Sequence, residues 1–247
     1  HAAHDMMRRT ATVQANYDFS SEADAMKKLQ LSLKLSPLIH AMVANSPFKE
    51  GKLAGTKSVR GEVWLNMDPS RSGLIPSLWK PGKKTYRDYV EWALDGGMFL
   101  FKCDGKVVAN TGQTFRGFRK DGFECHKATL TDWKTHLQTL FPEARLKNTL
   151  EVRSCDSLPA HLATAVPALF TGILYDVRAM DQAIDLLGPL DYETVEAARP
   201  ALIRQGLTAQ VGEKTGAQLA QSLYEIASSG LSRRGRRNAQ NGDERRF

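Results

Sequence analysis

The chain has 247 residues, 42% hydrophobic and 25% charged, a balance that suits a globular protein able to bury a sizeable core. Its net charge is +7, and much of that is local: after Gly230 six arginines (Arg233, Arg234, Arg236, Arg237, Arg245 and Arg246) face only Asp243 and Glu244. Three scattered cysteines and six histidines without metal spacing argue against a disulfide framework or a zinc site, and there is no P-loop, no dinucleotide fingerprint and no apolar run long enough to span a bilayer.

Residues 10–19, TATVQANYDF, alternate in polarity. Thr10, Thr12, Gln14, Asn16 and Asp18 share one side and Ala11, Val13, Ala15, Tyr17 and Phe19 the other, the period of a half-buried strand. Ser20 or Ser21 then caps a helix to about Leu35, with Glu22 and Asp24 complementing its dipole. Ser36–Pro37 reads as a cap and first position opening a second helix to Ala44. A loop with Asn45 and Ser46 before Pro47 follows. Residues 59–68, VRGEVWLNMD, again alternate, which predicts a strand with Arg60, Glu62, Trp64, Asn66 and Asp68 on one face. Thr85 and Asp88 frame a helix over 85–95, Asp104–Gly105 turns a short hairpin, and Thr129 with Asp132 opens a helix to about Leu140.

Residues 150–159, LEVRSCDSLP, form a third strand. Leu150 and Val152 share one face, and Glu151 and Arg153 the other, in an odd-numbered row with Arg145, Lys147 and Thr149. Three such strands would make one sheet with an apolar back and a polar front. Such a front often faces plain water. Amides and guanidinium groups of fixed geometry, rather than Lys, Ser and Thr alone, favour a site. Helices are predicted over 159–187, 191–205 and 211–229, with Gly230 as terminator. The expected organisation is thus α+β: a partial sheet with helices over 1–158, a helical packing region of the same domain over 159–230 and a basic polar segment over 231–247. The arginine-rich segment lacks interleaved aromatic residues and any accompanying nucleic-acid module, so neither nucleic acid nor membrane is expected as partner. The odd cysteine count favours a reducing compartment, read as cytoplasmic, with targeting left open because the chain begins at His1.

Four blocks carry a family resemblance: TATVQANYDFSSEADAMKKLQLSL, ANSPFKEGK, VRGEVWLNMDPSRSGLIPSLW and TLTDWKTHLQTLFPEARLKNTLEVRSCDSLP. In this order they resemble the glutamate–cysteine ligases of the plant and proteobacterial type. The resemblance implies a curved, glutamine-synthetase-like antiparallel sheet holding ATP, Mg²⁺ and L-glutamate. It also implies a reaction in which ATP phosphorylates the glutamate γ-carboxylate and L-cysteine displaces the phosphate, the first step of glutathione synthesis. Left open are a related carboxylate–amine ligase with another acceptor and a non-catalytic nucleotide-binding homologue. Since family members are longer, the chain is expected to be an internal or C-terminal fragment, lacking an N-terminal part of the sheet and inactive in isolation.

On that resemblance Glu151 is the expected metal ligand and Arg153 the group on the transferred phosphoryl, both catalytic. Gln14 and Asn16 match the family strand facing nucleotide and substrate. Arg60 is expected on a substrate α-carboxylate, with Asn45 and Ser46 presenting donors to the same pocket, and Arg233 and Arg234 are the candidates for ATP phosphates. The family reads SYRSHIW where this chain has SVRGEVW, so Val59 and Glu62 depart from the pattern.

Overall fold

The computed structural model describes residues 3–109 and 111–246. Helix α1 (Ala3–Arg9) leads into extended chain, of which Ala15–Tyr17 (β1) is paired as a strand. The predicted strand is therefore shorter than its alternation, although the Val13 and Ser157 amides still bond across to the Asp156 and Ala11 carbonyls. The spine of the molecule is α2 (Glu22–Met42), capped by Ser21, whose side chain accepts from the Asp24 amide. The break expected at Ser36–Pro37 does not occur. Pro37 removes a helical hydrogen bond at a cost of about 3 kcal/mol. Against it, Leu29, Leu31, Leu33, Leu35, Leu38 and Ile39 are each no more than 2% exposed, and each contributes about 1.5–3 kcal/mol on burial. Packing on all sides overrides the local breaker.

After the short hairpin β2 (Phe48–Lys49) and β3 (Lys52–Leu53), residues Val59–Leu65 form helix α3, not the predicted strand. Val59 and Val63, like Arg60 and Trp64, lie four apart, so the same pattern also satisfies a helical period. Ser58 decides between the two: its hydroxyl caps the helix by accepting from the Gly61 amide at 2.8 Å. Gly61 then lies against α2, where a Cβ would stand 2.7 Å from both His40 Nε2 and Ile203 Cγ1.

Strand β4 (Ser72–Gly73) and a 3₁₀ turn (Pro76–Trp79) lead to a smaller unit. It comprises α4 (Tyr86–Asp95), the hairpin β5 (Leu100–Cys103) and β6 (Lys106–Ala109), α5 (Phe115–Asp121) and α6 (Leu130–Gln138). Both predicted capping boxes are present, Thr85 with Asp88 and Thr129 with Asp132. Asp104 and Gly105 make the hairpin turn at φ of 49° and 74°. Leu94, Met98, Phe101, Phe115 and Phe118 form this unit's own core.

Strand β7 (Phe141–Pro142) runs parallel to β4, followed by β8 (Ala144–Leu146) and β9 (Leu150–Val152). The central sheet has the order β1–β9–β8, antiparallel throughout, with Asn16 and Arg145 opposite Glu151 on either side. Its apolar face (Tyr17, Leu150, Val152 and Ala144) joins the main core under α2. The C-terminal part is mainly helical: α7 (Ala160–Ala163), α8 (Ala165–Leu174), α9 (Val177–Leu187) and α10 (Tyr192–Gln205), then the small hairpin β10 (Gln210–Val211) and β11 (Lys214–Thr215), then α11 (Gly216–Arg234). Gly230 does not end α11. It lies inside the helix, where α8 crosses so closely that a Cβ would collide with the Gly172 carbonyl. Gly235 ends the helix in the left-handed region, so the basic segment expected from 231 begins as helix. Mixed helices and small, mostly antiparallel sheets agree with an α+β class. Among the described residues no single helix is long and apolar enough to cross a membrane.

Candidate functional site on the polar sheet face

The two-residue period of β9 sends Leu150 and Val152 into the core and Glu151 to the other face, with Arg153 following it. One Glu151 oxygen accepts from Arg145 Nε and Nη2, both at 2.7 Å, and lies 3.5 Å from Lys147 Nζ. The other lies 3.2 Å from Arg153 Nη1. Glu151, Arg145 and Arg153 are 8%, 8% and 9% exposed. Burial works against the Glu151 charge, yet Arg145, Arg153 and Lys147 hold its pKa below the usual carboxylate value. Burial, with Arg145 alongside, lowers that of Arg153. Arg145 is fixed further by donating to the Leu140 carbonyl at 3.1 Å. Arg153 lies over the Phe141 ring at 5.8 Å and leaves its Nε unpartnered. Three cations thus face one carboxylate, an arrangement suited to an incoming anion.

Asn16 neighbours Glu151 across the ladder and accepts from Thr149 Oγ1 at 3.0 Å. Gln14, two residues earlier, is exposed. The structure therefore brings Asn16 and Glu151 together in one sheet, with Gln14 and Arg153 in the chain just beyond their strands. As placed, this carboxylate is a counter-ion to three cations, so the metal ligation expected of it would require those pairs to exchange, and among the described residues no group of three or more His, Cys, Asp and Glu side chains could hold a metal ion.

Arg60 reaches the end of β9 from α3. Its Nη2 donates to the Arg153 carbonyl at 2.6 Å and its Nη1 to the Ser154 carbonyl at 2.9 Å. The fork expected on a substrate carboxylate is filled by backbone, so engaging a substrate would require those bonds to exchange. Asn45 and Ser46 serve a buried carboxylate: Asp156 accepts from the Asn45 backbone N–H at 2.7 Å, Ser46 Oγ at 2.9 Å and Ser58 Oγ at 3.1 Å, while the Asn45 side chain donates to the Ser157 carbonyl at 3.0 Å. Such donors are what a buried charge requires. They pin the loop to the helix cap.

Arg233 and Arg234 lie elsewhere, at the C-terminus of α11, where cations complement the dipole. Arg233 pairs with Asp176 at 2.7 Å, and Arg234 with Glu244 at 2.9 Å while lying over the Tyr175 ring. Both guanidinium groups hold carboxylates, so the role expected for them on ATP phosphates would require these pairs to exchange. Cys155 is a core residue whose thiol burial pushes up to about 12.

Sequence reasoning passed over Glu143, Arg199, His40 and Asp156. Glu143 continues the odd-numbered row below Arg145 and was accessible by extending it. Arg199 reaches Glu143 at 2.8 Å from α10, more than fifty residues away, and no local pattern signals that contact.

A model of glutamate–cysteine ligase family 2 matches residues 1–247. The chloroplastic glutamate–cysteine ligase of Medicago truncatula is 38% identical over 234 residues, covering 94% of this chain and 46% of the relative. That of Brassica juncea is 38% identical, over 94% of this chain and 45% of the relative, and that of Arabidopsis thaliana 37%, over 95% and 45%. The chain spans about half the length of the curated relatives it matches. All three relatives are named chloroplastic, which overturns the cytoplasmic expectation. With the whole chain matched and more than a third of its residues identical to these enzymes, it belongs to glutamate–cysteine ligase family 2.

Proposed function

We propose that this chain takes part in the ATP-dependent joining of the L-glutamate γ-carboxylate to the amine of L-cysteine, the first step of glutathione synthesis, on a curved glutamine-synthetase-like sheet. The observation that carries this reading is the surplus of cations around Glu151: two nearly buried arginines, Arg145 also held by the Leu140 carbonyl, and the half-exposed Lys147. In the first step a carboxylate oxygen of glutamate bonds to the terminal phosphorus of ATP and the bond to ADP breaks. In the second the cysteine nitrogen attacks the acyl carbon, phosphate leaves and the amine gives up a proton. Both steps crowd negative oxygens, so positioning and charge stabilisation supply most of the catalysis. Arg153 is proposed on the transferred phosphoryl group, with Arg145 beside it and Glu151 keeping the two arginines in register. Gln14 and Asn16 are proposed to orient substrate on the same face. Arg60, Asn45 and Ser46 act from behind it by fixing the end of β9 and its flanking loop.

Mg²⁺, which the family resemblance implies, does not fit the described residues by themselves: the one carboxylate of the cluster is surrounded by cations. What this chain contributes rests on its arginines. The test is phosphate release by the full-length protein with ATP, glutamate and cysteine, beside an Arg153→Lys variant. Cysteine-dependent release that falls about 100-fold in the variant supports the reading. No release by the intact protein sinks it.

A further inference from the structure

Several buried polar atoms without a partner lie around the end of β9: His40 Nε2, Arg60 Nε and Trp64 Nε1, with Arg153 Nε and Ser154 Oγ on the two residues whose carbonyls Arg60 holds. Orphaned buried groups are destabilising unless something satisfies them. His40, Arg60, Gly61 and Trp64 line one cavity of about 20 Å³, together with Glu143 and Arg199. The volume decides the ligand class. A water needs roughly 10–15 Å³, and an amino acid is far too large.

Chemistry narrows it further. Arg60 Nε and Trp64 Nε1 only donate. His40 Nδ1 lies 2.5 Å from the Ser154 carbonyl oxygen, which only accepts, so Nδ1 carries the proton. Burial, with Arg60 nearby, lowers the His40 pKa and keeps the ring neutral, leaving a lone pair on Nε2. Two donors and one acceptor on one water-sized cavity fit a water that accepts from Arg60 and Trp64 and donates to His40. Its second hydrogen has the Glu143 carboxylate on the same wall.

The same imidazole also supports the site. The Ser154 carbonyl accepts from both His40 Nδ1 and Arg60 Nη1, and the Arg153 carbonyl accepts from Arg60 Nη2. These bonds hold the backbone from which the Arg153 side chain reaches Glu151. We propose that His40 is a positioning residue of the sheet-face site: a neutral imidazole, protonated on Nδ1, that shares the Ser154 carbonyl with Arg60 and binds one water through Nε2. Its effect on turnover rests on the ligase reading above; its tautomer and its water do not.

The test uses the full-length protein with His40→Leu, which removes the donor, and His40→Asn, whose amide retains one. Nitrogen-15 spectra of the histidine rings read the tautomer, and a crystal structure resolving ordered water reads the cavity. The expected result is a neutral ring protonated on Nδ1 and one water bonded to His40, Arg60 and Trp64. In His40→Leu kcat should fall about tenfold with KM values within about twofold, and His40→Asn should recover most of the loss. A ring protonated on Nε2, a charged ring or a dry cavity overturns the proposal at any level of activity. Unchanged kcat in His40→Leu, or an Arg153–Glu151 contact undisturbed in its crystal structure, overturns the positioning role. Wild-type protein without ligase turnover removes the ligase reading alone; the ring, the water and the placement of Arg153 in the variants still decide this one.

Discussion

Two arginine clusters in this chain have the same chemistry and different settings. On the sheet, the Arg145 and Arg153 side chains share Glu151, with all three near 10% exposed. At the end of α11, Arg233 and Arg234 each have a carboxylate of their own and are 34% and 16% exposed. The sheet cluster therefore keeps surplus positive charge away from water, where an incoming anion feels it strongly, whereas the helix-end pairs are neutralised and screened. Counting arginines would have favoured the tail, and the pairing favours the sheet.

The largest expected effect is on turnover: Arg153→Lys retains the charge but loses the fork, and Glu151→Gln releases the counter-ion, so each should lower kcat of the full-length protein about 100-fold. Glu151→Gln should also destabilise by about 3 kcal/mol, read by denaturant unfolding, because the cations are left uncompensated. Next comes Gly61→Ala, whose added methyl meets His40 and Ile203 at 2.7 Å. It should cost about 1–3 kcal/mol by overpacking, read as a lower Tm.

A smaller effect should appear on acidification. Burial lowers the pKa of both His40 and His136. In the unfolded chain each binds its proton near pH 6.5, so the unfolded state takes up protons first. Stability is complete above that value and declines as pH falls below it, which thermal melts between pH 8 and about pH 5 would follow. The smallest effect belongs to the helix end. Arg233→Ala should cost less than about 1 kcal/mol and leave the KM for ATP unchanged. A raised KM for ATP would return these arginines to the nucleotide site and erase the contrast.

How legible the molecule was depends on how local each signal is. The row from Arg145 to Arg153 was readable because a strand's period is two residues, and the capping boxes at Thr85 and Thr129 because a cap acts over three. Alternation misled at residues 59–65, where residues four apart suit a helix as well, and the deciding Ser58 cap is tied to Asp156, nearly a hundred residues on. Pro37 misled for a related reason: its local cost is real and smaller than the burial around it.

The sequence by itself determined the row from Arg145 to Arg153 on the sheet's polar face, the capped helix starts near Ser21, Thr85, Thr129 and Asp191, and the family, through blocks of residues in a set order. Only the tertiary structure decided that α2 continues through Pro37, that Arg60 clamps backbone, and that Arg233 and Arg234 are already paired. Those outcomes turn on burial and on partners far apart in the chain, and neither is written in the spacing of neighbouring residues.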